Sequence, residues 1–406
     1  MKDAPLNFFD GDRSSKYPKR SEFQTEGIMF LNASSTSSGI FDITAVNYIS
    51  PEKYETITKG RIKPNDIILT TRGNGVGDSF LFKENYGEAL INAQMLIIRC
   101  DDEKLYSQFL YYYFINPACK DNFVNCASGS AQPQLPIKSL KEIEIKYPPL
   151  PTQRKIASIL SAYDDLIENN LKRIKLLEEK AAIFYKNEFG DYQVSNKEFI
   201  ELPKGWSIKT IGEIYGKLES GTRPKGGIDK ELKEGVASVG AENVIGLGKY
   251  NYQSEKLITQ EFFENMNRGK IEDRDVLVYK DGAYIGKTTL FQDEFPRLNC
   301  CVNEHVFLLT TKDVRYQYFL FFTLNQSLYF EKMQQLNANA AQPGINQESL
   351  KSLKLIWPSE DKVNEFNKEV ETIIKLIFVL AKQNTKLREA RDILLPRLMN
   401  GQIEVS

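Results

Sequence analysis

Apolar residues recur across residues 148–190 in alternating steps of four and three: Ile156, Leu160, Tyr163, Ile167, Ile174, Leu177, Ala181 and Phe184, with polar Asn170 on the same seam. That is the period of a coiled coil. Prolines 148, 149 and 151 can precede or open a helix but not continue one, and Phe189-Gly190-Asp191 supplies a glycine stop. At 1.5 Å per residue the helix is about 55 Å long, more than one small domain can cover. It needs a partner helix.

The partner pattern lies near the end of the chain. From Val363 to Leu394 the seam is Phe366, Val370, Ile373, Ile377, Leu380, Asn384, Leu387 and Leu394, with Arg391 on the stripe and Trp357-Pro358-Ser359-Glu360 ahead of it. Laid antiparallel with Asn170 against Asn384, the helices also set Leu160 against Leu394, Ile174 against Leu380 and Leu177 against Ile377. One polar pair in an apolar seam specifies register at some cost in stability.

Between and before the helices the pattern changes to short β-type runs and turns. In the first segment Ile67-Ile68-Leu69 and Met95-Leu96-Ile97-Ile98 read as strands, Arg72 to Gly77 as a glycine-rich loop, and Tyr106 to Ile115 as an aromatic helix. The second segment repeats this order: Asp66 to Leu69 answers to Asp275 to Val278, Gly73 to Gly282 and Gly77 to Gly286, each 209 residues on. Asn92 matches Asn303, and Ala131-Gln132-Pro133 matches Ala341-Gln342-Pro343. The expected layout is therefore a domain over 1–147, a spacer helix over 148–190, a second domain over 191–357, and a second spacer helix with its tail over 358–406. Duplicated scaffolds with divergent opening loops suit two modules that do one job on different targets.

Composition narrows the chemistry. The 406 residues are 41% hydrophobic, enough for proper cores, and no apolar run reaches transmembrane length. Residues 1–12 lack the basic start and apolar core of a secretory signal, so a cytoplasmic location is expected. Five cysteines form no C-x-x-C pair and read as buried thiols rather than a zinc site or a disulfide framework. Lys and Arg number 53 against 54 acidic residues, so a lone DNA-binding domain is a poor fit unless another subunit supplies most phosphate contacts.

The runs Pro-Pro-Leu-Pro-Thr-Gln-Arg-Lys-Ile-Ala-Ser-Ile-Leu at 148–160, Leu-Pro-Lys-Gly-Trp at 202–206 and Leu-Met-Asn-Gly-Gln-Ile at 398–403, together with the Ala-Gln-Pro motifs, resemble the specificity subunit of type I restriction-modification enzymes. The resemblance covers essentially the whole chain. Two departures stand out: nothing before Asn7 corresponds to Leu202–Trp206, and Pro358-Ser359-Glu360-Asp361 lacks the Pro-Leu-Pro-x-Gln form of the first helix approach. The resemblance implies an α+β, pseudo-twofold chain in which two α/β target recognition domains are separated by two antiparallel coiled-coil helices. It implies a non-catalytic subunit with no cofactor: each domain reads half of a bipartite, asymmetric double-stranded DNA target. The helices dock two copies of the methylation subunit and help recruit the restriction subunit. A coiled-coil scaffold or adaptor whose repeated domains bind proteins is the alternative, and the near-zero net charge favours it.

Base reading favours side chains that make two hydrogen bonds, Arg to guanine and Asn or Gln to adenine. In the first domain the polar loops offer Arg13, Ser14, Lys16, Lys19, Arg20, Asn32, Ser34, Arg72, Asn74, Gln94 and Gln132. In the second they offer Arg223, Lys225, Asn243, Lys280, Lys287, His305, Asn339 and Gln342. The run Asp281 to Thr288 imitates a phosphate-binding loop, but three residues separate its glycines where the phosphate cradle needs four. A turn presenting Lys280, Lys287 and Arg72 to DNA phosphates fits better. His305 is the single histidine and has no nucleophile cluster, and no Asn-Pro-Pro-Tyr signature of an adenine methyltransferase occurs, so any chemistry belongs to a partner.

Overall fold

The computed structural model describes the chain except residues 2, 38–39, 42, 74, 129–132, 194–200, 230, 283–284, 337–343 and 406. It divides into two compact units, one formed by Met1–Asp165 with Arg388–Ser406 and the other by Leu166–Leu387.

Each unit is built on the same pair of sheets. In the first, an antiparallel sheet runs in the order Leu6–Asp10, Met95–Cys100, Ile67–Thr70, Ser79–Leu81. Beside it, Ile28–Leu31 pairs antiparallel with Asn47–Ile49 and parallel with Ala89–Ile91. The second unit has Tyr215–Ser220, Val306–Thr311, Val276–Tyr279 and Thr288–Leu290 in the same antiparallel order. There Val236–Val239 takes Leu257–Ile258 antiparallel and Cys300–Val302 parallel. The aromatic helix of each unit, Ser107–Ile115 or Gln317–Leu324, buries Phe109 and Phe114 or Phe319 and Phe322. In unit two, Ser207–Thr210, just after Leu202–Trp206, pairs with Lys354–Trp357.

A turn device recurs at the sequence offset. Asn65 and Arg274, both at positive φ, precede Asp66 and Asp275, whose side chains are buried. Asp66 accepts from Lys63 N and from Nε and Nη2 of Arg99, all at 2.7 Å. Asp275 accepts from Glu272 N at 2.9 Å and Lys217 Nζ at 2.7 Å. A buried carboxylate is tolerable only with such partners.

The long helices run Leu150–Gln193 and Glu360–Met399. In unit one, Ile156, Ala157 and Leu160 share a core with Leu395 and Leu398, while Leu394 is half-buried beside it. Asp164 there accepts from Tyr112 Oη and from Arg391 Nη1, both at 2.6 Å. Burial and the nearby Asp164 carboxylate push the Tyr112 hydroxyl well up, so it stays a donor. In unit two, Ile174, Ala181 and Tyr185 pack with Phe366, Val370, Ile374 and Ile377, and Lys362 pairs with Glu188. Asn170 Nδ2 donates to Asn384 Oδ1 at 2.9 Å, and Asn384 Nδ2 to the Ile167 carbonyl at 3.4 Å. The helices are thus antiparallel, with the asparagines paired.

Two details differ from the seam expected. Tyr185 and Phe189, not Phe184, are fully buried after Ala181. Their rings pack on Phe319 and Phe366 in unit two, so the last turns follow steps of four. The helix also runs past Gly190 to Gln193, since Phe189 and Tyr192 anchor that end through Trp206.

Burying one asparagine without the other leaves amide groups unsatisfied, at about 1–3 kcal/mol. Asn384→Leu alone is expected to lower stability by that amount. Asn170→Leu with Asn384→Leu recovers most of the loss in urea melts of the intact chain. Equal losses for the single and the double change would show that the pair does not act as a unit.

Candidate nucleic-acid interface

One corner is constructed in the same way in both units, at the ends of the central strands of the larger sheet. In unit one, Thr71 N and Oγ1 donate to the Gln94 carbonyl at 2.8 and 3.0 Å, and Leu135 N donates to the Thr71 carbonyl at 2.9 Å. Arg72 is thereby bridged antiparallel to Gln134. In unit two, Lys280 N donates to the His305 carbonyl at 3.1 Å, Ile345 N to the Lys280 carbonyl at 2.8 Å, and Asp281 is bridged to Gly344. The same backbone bonds therefore place Arg72 and Gln94 in one unit where Asp281 and His305 stand in the other.

A third segment reaches each corner through a glycine. A Cβ on Gly11 would lie 2.3 Å from the Asn92 carbonyl oxygen, and one on Gly221 only 1.5 Å from that of Val302. No other residue permits so close an approach. Two residues on, Arg13 Nη2 stands 3.5 Å from the Ala93 carbonyl and from Asp10 Oδ1. Arg223, two residues after Gly221, contacts Glu304 through Nη2 and stands 3.5 Å from His305 Nε2.

The side chains at the two corners differ in sign. Unit one offers the exposed Arg13, the half-buried Arg72 and the exposed Gln94, whose Oε1 accepts from Asn92 Nδ2 at 3.2 Å. Ser14, Lys16, Lys19 and Arg20 are exposed on the loop that follows Arg13. Asp10, Gly11, Asp12, Arg13, Ser14 and Lys59 line a cavity of ≈ 340 Å³ there. In unit two, His305 Nδ1 is 2.7 Å from Asp281 Oδ2 and its Nε2 3.3 Å from Glu304 Oε1. Lys280 Nζ lies 5.0 Å from the centre of the Phe307 ring, while Lys225 and Lys287 are exposed.

Several expected residues take other parts. Asn243 is fully buried, its Oδ1 accepting from Asn251 N at 2.7 Å, so it forms a turn and offers nothing to a groove. Asn32 donates to the Ala45 carbonyl at 3.2 Å and accepts from Ser34 N at 2.8 Å, which leaves Ser34 as the exposed member of that turn. Asn74, Gln132, Asn339 and Gln342 lie outside the described residues. Around the glycine-rich turn, Gly286 N donates to the Tyr279 carbonyl at 2.8 Å and Tyr279 N to that of Lys287 at 2.8 Å. Those amides close a hairpin rather than cradle a phosphate.

Sequence reasoning missed Asp281 and Glu304, and offered Gln134 only as part of the polar loop 128–134. The offset of 209 residues that pairs Gly73 with Gly282 also pairs Arg72 with Asp281, and this was the available signal. Among the described residues no group of His, Cys, Asp and Glu could hold a metal ion, and no helix is long and apolar enough to cross a membrane.

Comparison with known proteins adds a family likeness. The family described as "Type I restriction modification DNA specificity domain" matches residues 8–179 and again 203–388. The chain is similar to the type I restriction enzyme MjaIX specificity subunit of Methanocaldococcus jannaschii, 27% identical over 310 residues, covering 74% of this chain and 69% of the relative. It is also similar to the HindI specificity subunit of Haemophilus influenzae, 23% identical with 97% and 98% covered. Among solved structures, the type I restriction-modification S subunit from M. genitalium matches with a TM-score of 0.52 and 17% identity over 99% of this chain and 94% of that one. That match is one of fold.

Asp12 orders the loop that carries Arg13. Its buried carboxylate accepts from Ser14 N at 2.6 Å, and hydrogen bonds from Ser14 hold its carboxyl below the ordinary carboxylate range. Because the folded value is the lower one, this stabilisation is complete above about pH 4 and is lost as pH falls through the folded value. Asp12→Asn is expected to lower the urea midpoint at pH 7, with the gap to the unaltered chain closing as pH falls below the ordinary carboxylate range of about 4. A gap of the same size at both ends would show that the carboxylate charge is not what orders the loop.

Proposed function

The chain belongs to the type I restriction-modification DNA specificity family and carries two domains of that kind, and from this premise we propose that each domain reads one half of a split, asymmetric double-stranded DNA target. The observation that carries the proposal is the corner built twice on identical backbone bonds, with Arg72 and Gln94 in one copy and Asp281 and His305 in the other. A common frame with different side chains is what two readers of different half-sites require. The recognition domains are 1–147 and 191–357, and the helical segments 148–190 and 358–406 are the spacers that set the distance between half-sites.

In unit one the contact set is Arg13, Ser14, Lys16, Lys19, Arg20, Ser34, Arg72 and Gln94, with Gln134 added. In unit two it is Arg223, Lys225, Lys280, Lys287 and His305. Arg and Gln at the corner suit base edges, while the exposed lysines suit phosphates. Adding Asp281 and Glu304 makes the second corner a weak phosphate magnet, and the chain as a whole has a net charge of −1. A partner therefore has to supply most backbone neutralisation.

The partner is the methylation subunit, docked in two copies on the long helices, with the restriction subunit joining that complex. The spacer helices leave large apolar side chains exposed after their mutual seam is filled: Ile159 in unit one, and Leu176, Ile183 and Val379 in unit two. The chain itself performs no chemistry and needs no cofactor in this reading.

Base-resolved adenine methylation of DNA from cells making this chain with its cognate methylation subunit tests the reading. A split asymmetric motif is expected only when the chain is present. Its absence with an active, stably bound methylation subunit would favour the protein-binding adaptor that the balanced charge allows. In the assembled complex, Arg13→Ala with Arg72→Ala is expected to weaken binding to the target about tenfold or more and to relax one half-site alone. Unchanged methylation of the same motif would remove those two residues from the contact set.

A further inference from the structure

Arg223 sits in a cluster with His305 and two carboxylates, Asp281 and Glu304. Asp281 Oδ2, 2.7 Å from His305 Nδ1, fixes the imidazole ring from one side. The other ring nitrogen faces Arg223 Nη2 at 3.5 Å, and Glu304 Oε1 contacts the same Nη2 while standing 3.3 Å from the ring. Among the described residues every polar contact of Arg223 runs through Nη2, and its side chain remains 51% exposed. A guanidinium carries five N–H donors in a rigid fork, so a fork held at one nitrogen presents its remaining donors in one orientation.

The charges decide what such a fork is for. One arginine faces two carboxylates here, so a phosphate brought to this corner meets more negative than positive charge. A base edge carries no net charge: guanine offers the N7 and O6 acceptors, and its cytosine partner offers an amino group that a carboxylate accepts from. Among the described residues the first domain lacks this arrangement. Ala93 stands in the place of Glu304 and Arg72 in that of Asp281, and Arg13 stands 3.5 Å from the Ala93 carbonyl and from Asp10 Oδ1.

We infer that Asp281, His305 and Glu304 are positioning residues that hold Arg223 to read the guanine of one G·C pair in the half-site of the second domain. This rests on the recognition reading above. Arg223 touches the base, and the other three set its orientation and discourage phosphate in its place; His305 thereby serves the contact set through Arg223 rather than by touching the base itself.

The test is base-resolved adenine methylation by the complex of the full chain with its cognate methylation subunit, comparing the unaltered chain with R223K and D281N. Lysine keeps the charge but not the fork. The expected result is a split motif in which R223K relaxes one G·C pair about tenfold or more, D281N relaxes the same pair less, and the other half-site is unaltered. Copurification of the methylation subunit controls for folding; if D281N does not assemble, Glu304→Gln tests the same hold from the other carboxylate. A split motif that R223K leaves equally stringent, or relaxes at an A·T pair or in both halves, overturns the inference. Relaxation by R223K with neither carboxylate change having an effect overturns the positioning roles. No split motif from the unaltered chain fails the recognition reading instead, before any variant is compared.

Discussion

Two helices with apolar stripes too long for any one domain to cover impose the main constraint on this chain. Each stripe has to be buried along its length, and the other helix is the element long enough to do it. Leu160 with Leu395 and Leu398 in one unit, and Ile174 with Ile374 and Ile377 in the other, show the result. The Asn170–Asn384 hydrogen bond makes one alignment of the seam much better than its neighbours, because a shifted register buries both amides unpaired. Residues far apart in sequence consequently share one core, and the last nineteen residues of the chain belong to the first unit.

On that frame the chain places the same sheet architecture twice and varies what is displayed. The Thr71–Gln94 and Lys280–His305 backbone bonds are equivalent, and so are the glycines at 11 and 221 that let a third segment approach. Backbone bonds at a strand end do not depend on the side chains beyond it, so Arg72 can become Asp281 without altering the frame. In the proposed reading the reversal of sign is tolerable because a base edge, unlike a phosphate, accepts acidic partners.

The legibility of the parts follows from the range of the forces involved. Periodicity predicted both long helices and, once they are laid antiparallel as the family resemblance implies, the asparagine register, because burial repeats every three or four residues and leaves a trace in composition. The offset of 209 residues predicted two equivalent domains. Local aromatic packing was less visible: Tyr185 displaces Phe184 from the seam because Phe319 and Phe366, distant in sequence, provide the ring contacts. Asn243 read as an exposed loop amide, yet the turn to Asn251 draws it fully inside.

By itself, the sequence determined the number of domains and the two long helices, since these rest on repetition that can be counted along the chain, and the family through short motifs such as those at 148–160 and 202–206. Tertiary structure alone decided which polar residues meet. Gly11 and Gly221 look like any loop glycines until a carbonyl from another strand is placed against them, and Arg223, Asp281, Glu304 and His305 become one cluster only when the strand ends come together. Polar contacts at a corner are made between segments tens of residues apart and follow no period, so no local pattern records them.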